Sequence, residues 1–195
     1  MANGEREKQL IEQALSGSSD AFSELVRPCH SKAYAVAFRY MRNEQDASDA
    51  LQEAYIKLFT RLHTFAHQSR FETWLIRIVI NCCYDALRKQ KKDRTVGGEA
   101  AEALVEQAGI EDTRSDEAPE AAALQSERQR MLKRAMACMA KDHRDVLILR
   151  EYEQFSYEEI ARILLISPGT VKSRIHRAKQ ALRDILMEQN PEFFV

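Results

Sequence analysis

SYEEIARILLISPGTVKSRIHRAK, residues 156–179, spells two short helices joined by a tight connector. Ser156 and Glu159 stand at the spacing of a capping box, in which the serine hydroxyl takes one orphan amide at a helix start and the glutamate reaches back to another. Tyr157, Ile160, Ala161 and Leu164 recur at i, i+3, i+4 and i+7, one face of a helix. Ser167-Pro168 then restarts the chain, with an N-cap followed by a proline whose fixed φ and missing N–H suit the first helical position. The second helix turns Val171, Ile175, Ala178 and Leu182 inward. Its opposite face carries Ser173, His176, Arg177 and Gln180, with Thr170, Lys172 and Arg174 on the flanks. The plainer alternative is a solvated face on an ordinary bundle helix. Two capped helices at this spacing, with no acid from 171 to 183, favour a helix-turn-helix whose second helix enters a DNA major groove.

The 195 residues leave room for one or two domains with a real core. A net charge of −1 argues against nucleic acid taken alone, but the charge is segregated. Residues 70–92 hold six basic side chains and two acids, 93–127 hold ten acids and two arginines, and 171–183 hold five basic side chains and no acid. Two basic blocks divided by an acidic one say more than the total does. Cys29, Cys82, Cys83 and Cys138 show no CxxC pairing, so reduced, partly buried thiols in a cytoplasmic protein are expected. A zinc site would need Cys29 to converge with His63 and His67, and the usual flanking ligand pattern is missing. No metal or other cofactor is expected. No apolar run approaches the length of a membrane span, and MANGEREKQL has no signal-peptide core, so no membrane insertion is expected.

The remainder reads as helix throughout. The pattern predicts a first helix over 5–15, broken by Gly17-Ser18-Ser19-Asp20, and a second from Ala21 to about Met41. Asn43 caps a third, striped by Ala47, Ala50, Leu51, Ala54, Leu58 and Leu62. Residues 64–70 form a loop, and 71–91 a fourth helix with Phe71, Leu75, Ile78, Val79, Cys82 and Ala86 inward. The stretch 95–120 is small, acidic and almost free of aromatics, a composition that buries little and reads as a linker. A helix over 121–140 comes next, and Asp142 is placed to cap its successor. The expected architecture is all-α: a helical domain over 1–94, an acidic linker over 95–120 and a helix-turn-helix domain over 121–195.

Two surfaces stand out. On the fourth helix, Arg77, Asn81, Tyr84 and Arg88 share a sector opposite the buried stripe, with Arg70 at the entry and Trp74 and Asp85 on the flank. Aromatics among arginines and an amide can stack bases and hold phosphates of a single or melted strand. Trp74, beside Phe71, fits a core anchor equally well. On the third helix, Asp46, Asp49, Gln52 and Glu53 lie together, either a solvated acidic face or a docking surface for a basic protein. There is no glycine-rich phosphate loop, GxSxG or HExxH, the five histidines are dispersed, and no catalytic constellation is expected.

Taken together these residues resemble the sigma-70 family of bacterial RNA polymerase specificity factors, in particular its extracytoplasmic-function group. DAFSELV (20–26) resembles the start of the family's region 2, and DASDALQEAYIKLF (46–59) its polymerase-binding helix. FETWLIRIVINCCYDALRK (71–89) is similar to the segment that recognises and melts the −10 element. RDVLILREYEQFSYEEIARILLISPGTVKSRIHRAKQALR (144–183) is similar to region 4, which binds the −35 element. The resemblance implies that Asp46, Asp49, Gln52 and Glu53 meet the clamp coiled coil of core RNA polymerase. It implies that Asn81, Asp85, Arg88 and the 64–70 loop meet the −10 strand, and that Lys172, Ser173, Arg174 and Arg177 meet the −35 groove. The implied partners are core RNA polymerase and promoter DNA, duplex and melted, with an anti-sigma factor as a further candidate. His30, Cys82-Cys83 and His176 depart from the family pattern, so promoter preference is not copied from a relative. A free-standing helix-turn-helix repressor or activator is the rival reading. Such a regulator has no evident use for the acidic face or for the 74–88 face. A nucleic-acid enzyme with a metal site is more remote, for want of clustered ligands.

Overall fold

The computed structural model describes the backbone over 2–96 and 119–191 and the side chains over 5–92 and 127–191; most of the acidic stretch expected to act as a linker lies outside these residues. Among the described residues the regular structure is helical. The chain forms two compact units, one built on the segment up to Val96 and the other on the C-terminal segment that carries the last helices.

In the first unit α1 (Ala2–Leu15) ends before Gly17, whose φ of +99° lies in the left-handed region where a side chain is strained. Ser18 then caps α2 (Ser19–Val26), its hydroxyl accepting the Ala21 amide at 3.2 Å. The single helix expected from Ala21 to Met41 is two. Pro28 lacks the amide that a continuous helix needs and clashes with the preceding turn, so the chain tightens into a 3₁₀ turn over Arg27–Cys29 and restarts as α3 (His30–Met41). That break lets α3 pack against both α4 (Glu44–Arg61) and α5 (Phe71–Val96), which also pack on each other. The Asn43 cap is as expected, its Oδ1 accepting the Asp46 amide at 2.7 Å. The expected stripe is the buried one: Ala47, Ala54 and Leu58 are fully enclosed, with Ala50, Leu51 and Leu62 nearly so. On α5 the core takes Phe71, Leu75, Ile76, Val79 and Cys83 completely.

The C-terminal segment forms α6 (Pro119–Cys138), α7 (Lys141–Leu147), α8 (Tyr157–Leu164) and α9 (Pro168–Gln189), with α9 packing on α6 and α7. Asp142 does not cap α7. Ala140 holds the cap position without a side-chain bond, and the Asp142 carboxylate instead pairs with Arg174 of α9 at 3.1 Å. Past α7 the chain widens into one π-helical turn, Ile148–Tyr152. Arg150 fastens this turn to the entry of α8, donating to the Phe155 carbonyl at 3.0 Å while its guanidinium lies 5.1 Å from the Tyr157 ring centre. The capping box closes in both directions: the Ser156 amide donates to the Glu159 carboxylate at 2.9 Å and the Glu159 amide to Ser156 Oγ at 3.2 Å. Ser167 Oγ accepts the Thr170 amide at 3.1 Å. Each cap is worth about 1 kcal/mol to the helix it starts.

Candidate nucleic-acid and polymerase interface

The α4 surface is a product of spacing. Burying 47, 50, 51, 54 and 58 leaves Asp49, Gln52 and Glu53 exposed along one side. Asp46 differs from its three expected companions. It is half-buried, and its carboxylate accepts from the Asn43 side chain and from Gln90 of α5, the latter at 2.9 Å, so it joins helices rather than facing out freely. Asp49 accepts from Gln45 at 3.1 Å. The face is also more apolar than its acids suggest. Its next turns present Ile56 and Phe59, 55% and 48% exposed, the latter edge-on to Phe22 of α2 at 5.2 Å. Spacing carries a signal for them, since 49, 52, 53, 56 and 59 fall on one helical stripe, but an apolar residue at such a position reads as core until its partners are known.

On α5 the proposed strand-facing sector divides. Asn81 and Arg88 are exposed, while Arg77 and Tyr84 are half-buried, Tyr84 lying edge-on to Tyr40 of α3 at 5.3 Å. Trp74 leaves this sector altogether. It is 8% exposed and packs on Phe65 and Phe71, ring centres 5.0 and 6.2 Å away, so it is a core anchor and offers no open face to a base. Phe65 also closes over Phe71, which sets the start of the exposed 66–70 loop. Arg70 is exposed at the end of that loop. Asp85 forms an ion pair with Arg88 one turn on, and accepts from Lys57 of α4 at 3.4 Å. Lys57 also pairs with Glu53 at 3.4 Å.

On α9 the burial of Val171, Ile175 and Ala178 turns Lys172, Ser173, His176 and Arg177 to the surface, with Thr170 half-exposed. Arg177 donates from Nε to the Ser173 carbonyl at 3.3 Å, which lays its guanidinium along the helix beside Ser173 Oγ. Arg174 is held differently from the other basic residues of the face, because its pair with Asp142 leaves it 22% exposed.

The thiols are mostly enclosed. Burial pushes Cys29 up to about 11 and Cys83 up to about 12, and raises Cys82 as well; Cys138 is exposed. Cys29, His63 and His67 do not converge, and among the described residues no three histidine, cysteine or acidic side chains gather as metal ligands do. No described helix is long and apolar enough to cross a membrane.

Residues 25–93 match the model of sigma-70 region 2 and residues 129–182 that of sigma-70 region 4. The chain is 35% identical over 185 residues to the RNA polymerase sigma-H factor of Pseudomonas aeruginosa, covering 93% of this chain and 94% of that one. The chain belongs to the sigma-70 family, in its extracytoplasmic-function group. A second relative of this sigma factor is the ECF RNA polymerase sigma factor SigW of Bacillus subtilis, 33% identical over 183 residues, with 93% and 97% of the two chains covered. Among solved structures, CnrH in complex with the cytosolic domain of CnrY matches with a TM-score of 0.62 at 26% identity, over 93% of this chain and 97% of that one. The Bartonella quintana sigma factor RpoE, bound to the anti-sigma factor NepR, shares the fold with a TM-score of 0.65 at 24% identity, over 85% and 96%.

Proposed function

We propose that this sigma factor carries core RNA polymerase to promoters through three surfaces: α4 for the polymerase, the α5 face with the 66–70 loop for the −10 strand, and α9 for the −35 duplex. The polymerase supplies the chemistry, and this chain supplies recognition in the cytoplasm. The observation that carries the reading is the pairing of opposite faces within one small unit. Acids and apolar side chains stay exposed on α4, while an amide and an arginine stay exposed on α5 beside it. A duplex-only regulator has no use for that pairing. The division into a region 2 domain over 1–94, a tether over 95–120 and a region 4 domain over 121–195 belongs to the same proposal. So does an anti-sigma partner.

On α9, Arg177 and Ser173 are assigned to base edges and Lys172 to phosphate. Arg174 takes a supporting place, since part of its charge is already met by Asp142. On α5, Asn81 is assigned to an unstacked base, whose release from the duplex costs a few kcal/mol that contacts in such a site can offset.

Run-off transcription with purified core polymerase, with and without the chain, tests the reading directly. Asp49→Lys with Glu53→Lys reverses two exposed charges, so folding survives while a basic partner is repelled. Loss of polymerase capture, with helical circular dichroism unchanged, is the expected result. Undiminished capture by a folded double variant removes α4 from the assignment.

A further inference from the structure

Four charged groups link the polymerase-facing and strand-facing surfaces. Glu53 on α4 and Asp85 on α5 share one ammonium, Lys57 Nζ, at 3.4 Å from each, and Asp85 in turn holds Arg88. The arrangement is Glu53–Lys57–Asp85–Arg88, acid and base alternating from one face to the other. Asp46 and Gln90 make a second, uncharged-donor bridge between the same two helices. Lys57 is the one member of the four-residue chain whose side chain is mostly covered, at 31% exposed against about half or more for the others.

We propose that Lys57 is a positioning residue that divides its charge between the two faces, so that docking of a basic surface on Glu53 releases Arg88 toward DNA. The inference rests on the assignment of α4 to polymerase and of α5 to the −10 strand. Its logic is competition. An ammonium at equal distance from two carboxylates is attracted to both. A cation arriving from a partner at Glu53 satisfies that acid and repels Lys57, which moves its charge onto Asp85. Asp85, more fully neutralised by Lys57, holds Arg88 less firmly. Arg88, on the exposed rim, is then free to meet phosphate at little cost. No step requires the helices to move. Because each pair is at the surface, each exchange is small, and the coupling is a few-fold effect rather than an on–off switch.

The signature of such a residue is a pair of changes with opposite signs. Lys57→Met removes the shared cation while keeping the stem's apolar packing. Glu53, no longer partly neutralised, attracts a basic partner more strongly, so core polymerase affinity rises about two- to fivefold. Asp85, with Arg88 as its remaining cation, retains that arginine. Promoter opening by the saturated holoenzyme slows by a similar factor, read by permanganate reactivity of unpaired thymines. Lys57→Arg, which returns a shared cation to the same place, restores both toward the starting values. A variant that only loosened the fold would weaken capture and opening together, and that result overturns the proposal, as does the absence of change in either. The Asp49→Lys, Glu53→Lys variant keeps the two levels of inference apart. If it captures polymerase normally, the α4 assignment falls and this coupling falls with it; if it fails to capture while Lys57→Met lacks the opposite signs, only the coupling is lost.

Discussion

The two faces assigned to DNA are built on different plans. On α9 Arg177 and Ser173 are held within their own helix, Arg177 lying on Ser173 and Ser173 Oγ donating to the Thr170 carbonyl at 3.1 Å, while Arg174 at the flank pairs with Asp142 of α7. Rigid donors at fixed helical spacing suit the major groove of an intact duplex, whose pattern of edges is also fixed. On α5 Asp85 holds Arg88 of its own helix but also answers to a neighbouring helix, through Lys57, and the aromatic member is anchored on α3. A face whose charges can be exchanged suits a ligand that must first be unstacked. Preset geometry serves recognition of what already exists, and negotiable geometry serves capture of what has to be created.

The comparison breaks first if the units are not separately responsible for their targets. Ile160 is fully buried in the helix-turn-helix, and Ile160→Ala deletes a large aliphatic group from its core at a cost of about 2–5 kcal/mol. Binding of a −35 duplex should be lost near 37 °C while binding of a fork-junction −10 template by the holoenzyme persists. Parallel loss of both in fluorescence anisotropy would contradict the separation. Next in size is the division of roles on α9. Arg177→Ala should cost about 1–3 kcal/mol at one −35 position and relax its base preference. Lys172→Ala should weaken every promoter alike and lower the salt slope by about one. Identical losses on all −35 variants would erase the distinction between reader and clamp.

A smaller effect concerns the turn that aims α9. Leu165 sits at φ +57° with 73% of its surface exposed, a left-handed conformation that costs a branched side chain about 1–2 kcal/mol. Leu165→Gly relieves that strain but adds backbone freedom to the unfolded chain, so a net gain of under about 1 kcal/mol in urea midpoint experiments is expected. Destabilisation would mean that Leu165 has a packing partner in solution. The least effect on function belongs to the thiols. Cys29 and Cys83, buried and with pKa values raised to about 11 and about 12, carry almost no thiolate at pH 8. Cys138 alone should react quickly with a disulfide reagent in the native protein, and all four in denaturant.

What is legible in the sequence is local. Both caps of the helix-turn-helix and the Asn43 cap concern residues three apart, and the stripe of α4 concerns one helix, so spacing alone is enough. Where sequence and structure part, a second element is usually the cause. Asp142 reads as a cap until Arg174 is placed opposite, and Trp74 reads as rim or core until Phe65 folds over it. Asp46 reads as exposed until Gln90 reaches it across 44 residues. Pro28 is the exception, a local signal for a break that the longer apolar pattern on either side of it masks.

The order in which the first unit's helices touch has a consequence in time. α1 packs on α2, α3 on α4 and α4 on α5, and the pairing of α3 with α5 skips a single helix. Such a chain closes only short loops before its contacts begin to stabilise it, and topologies of this kind fold within microseconds to milliseconds. Synthesis adds only about 5–20 residues each second. Neighbouring helices of the first unit can therefore pair soon after they leave the ribosome, and the exposed acidic side of α4 is finished as soon as α5 emerges to cover its core.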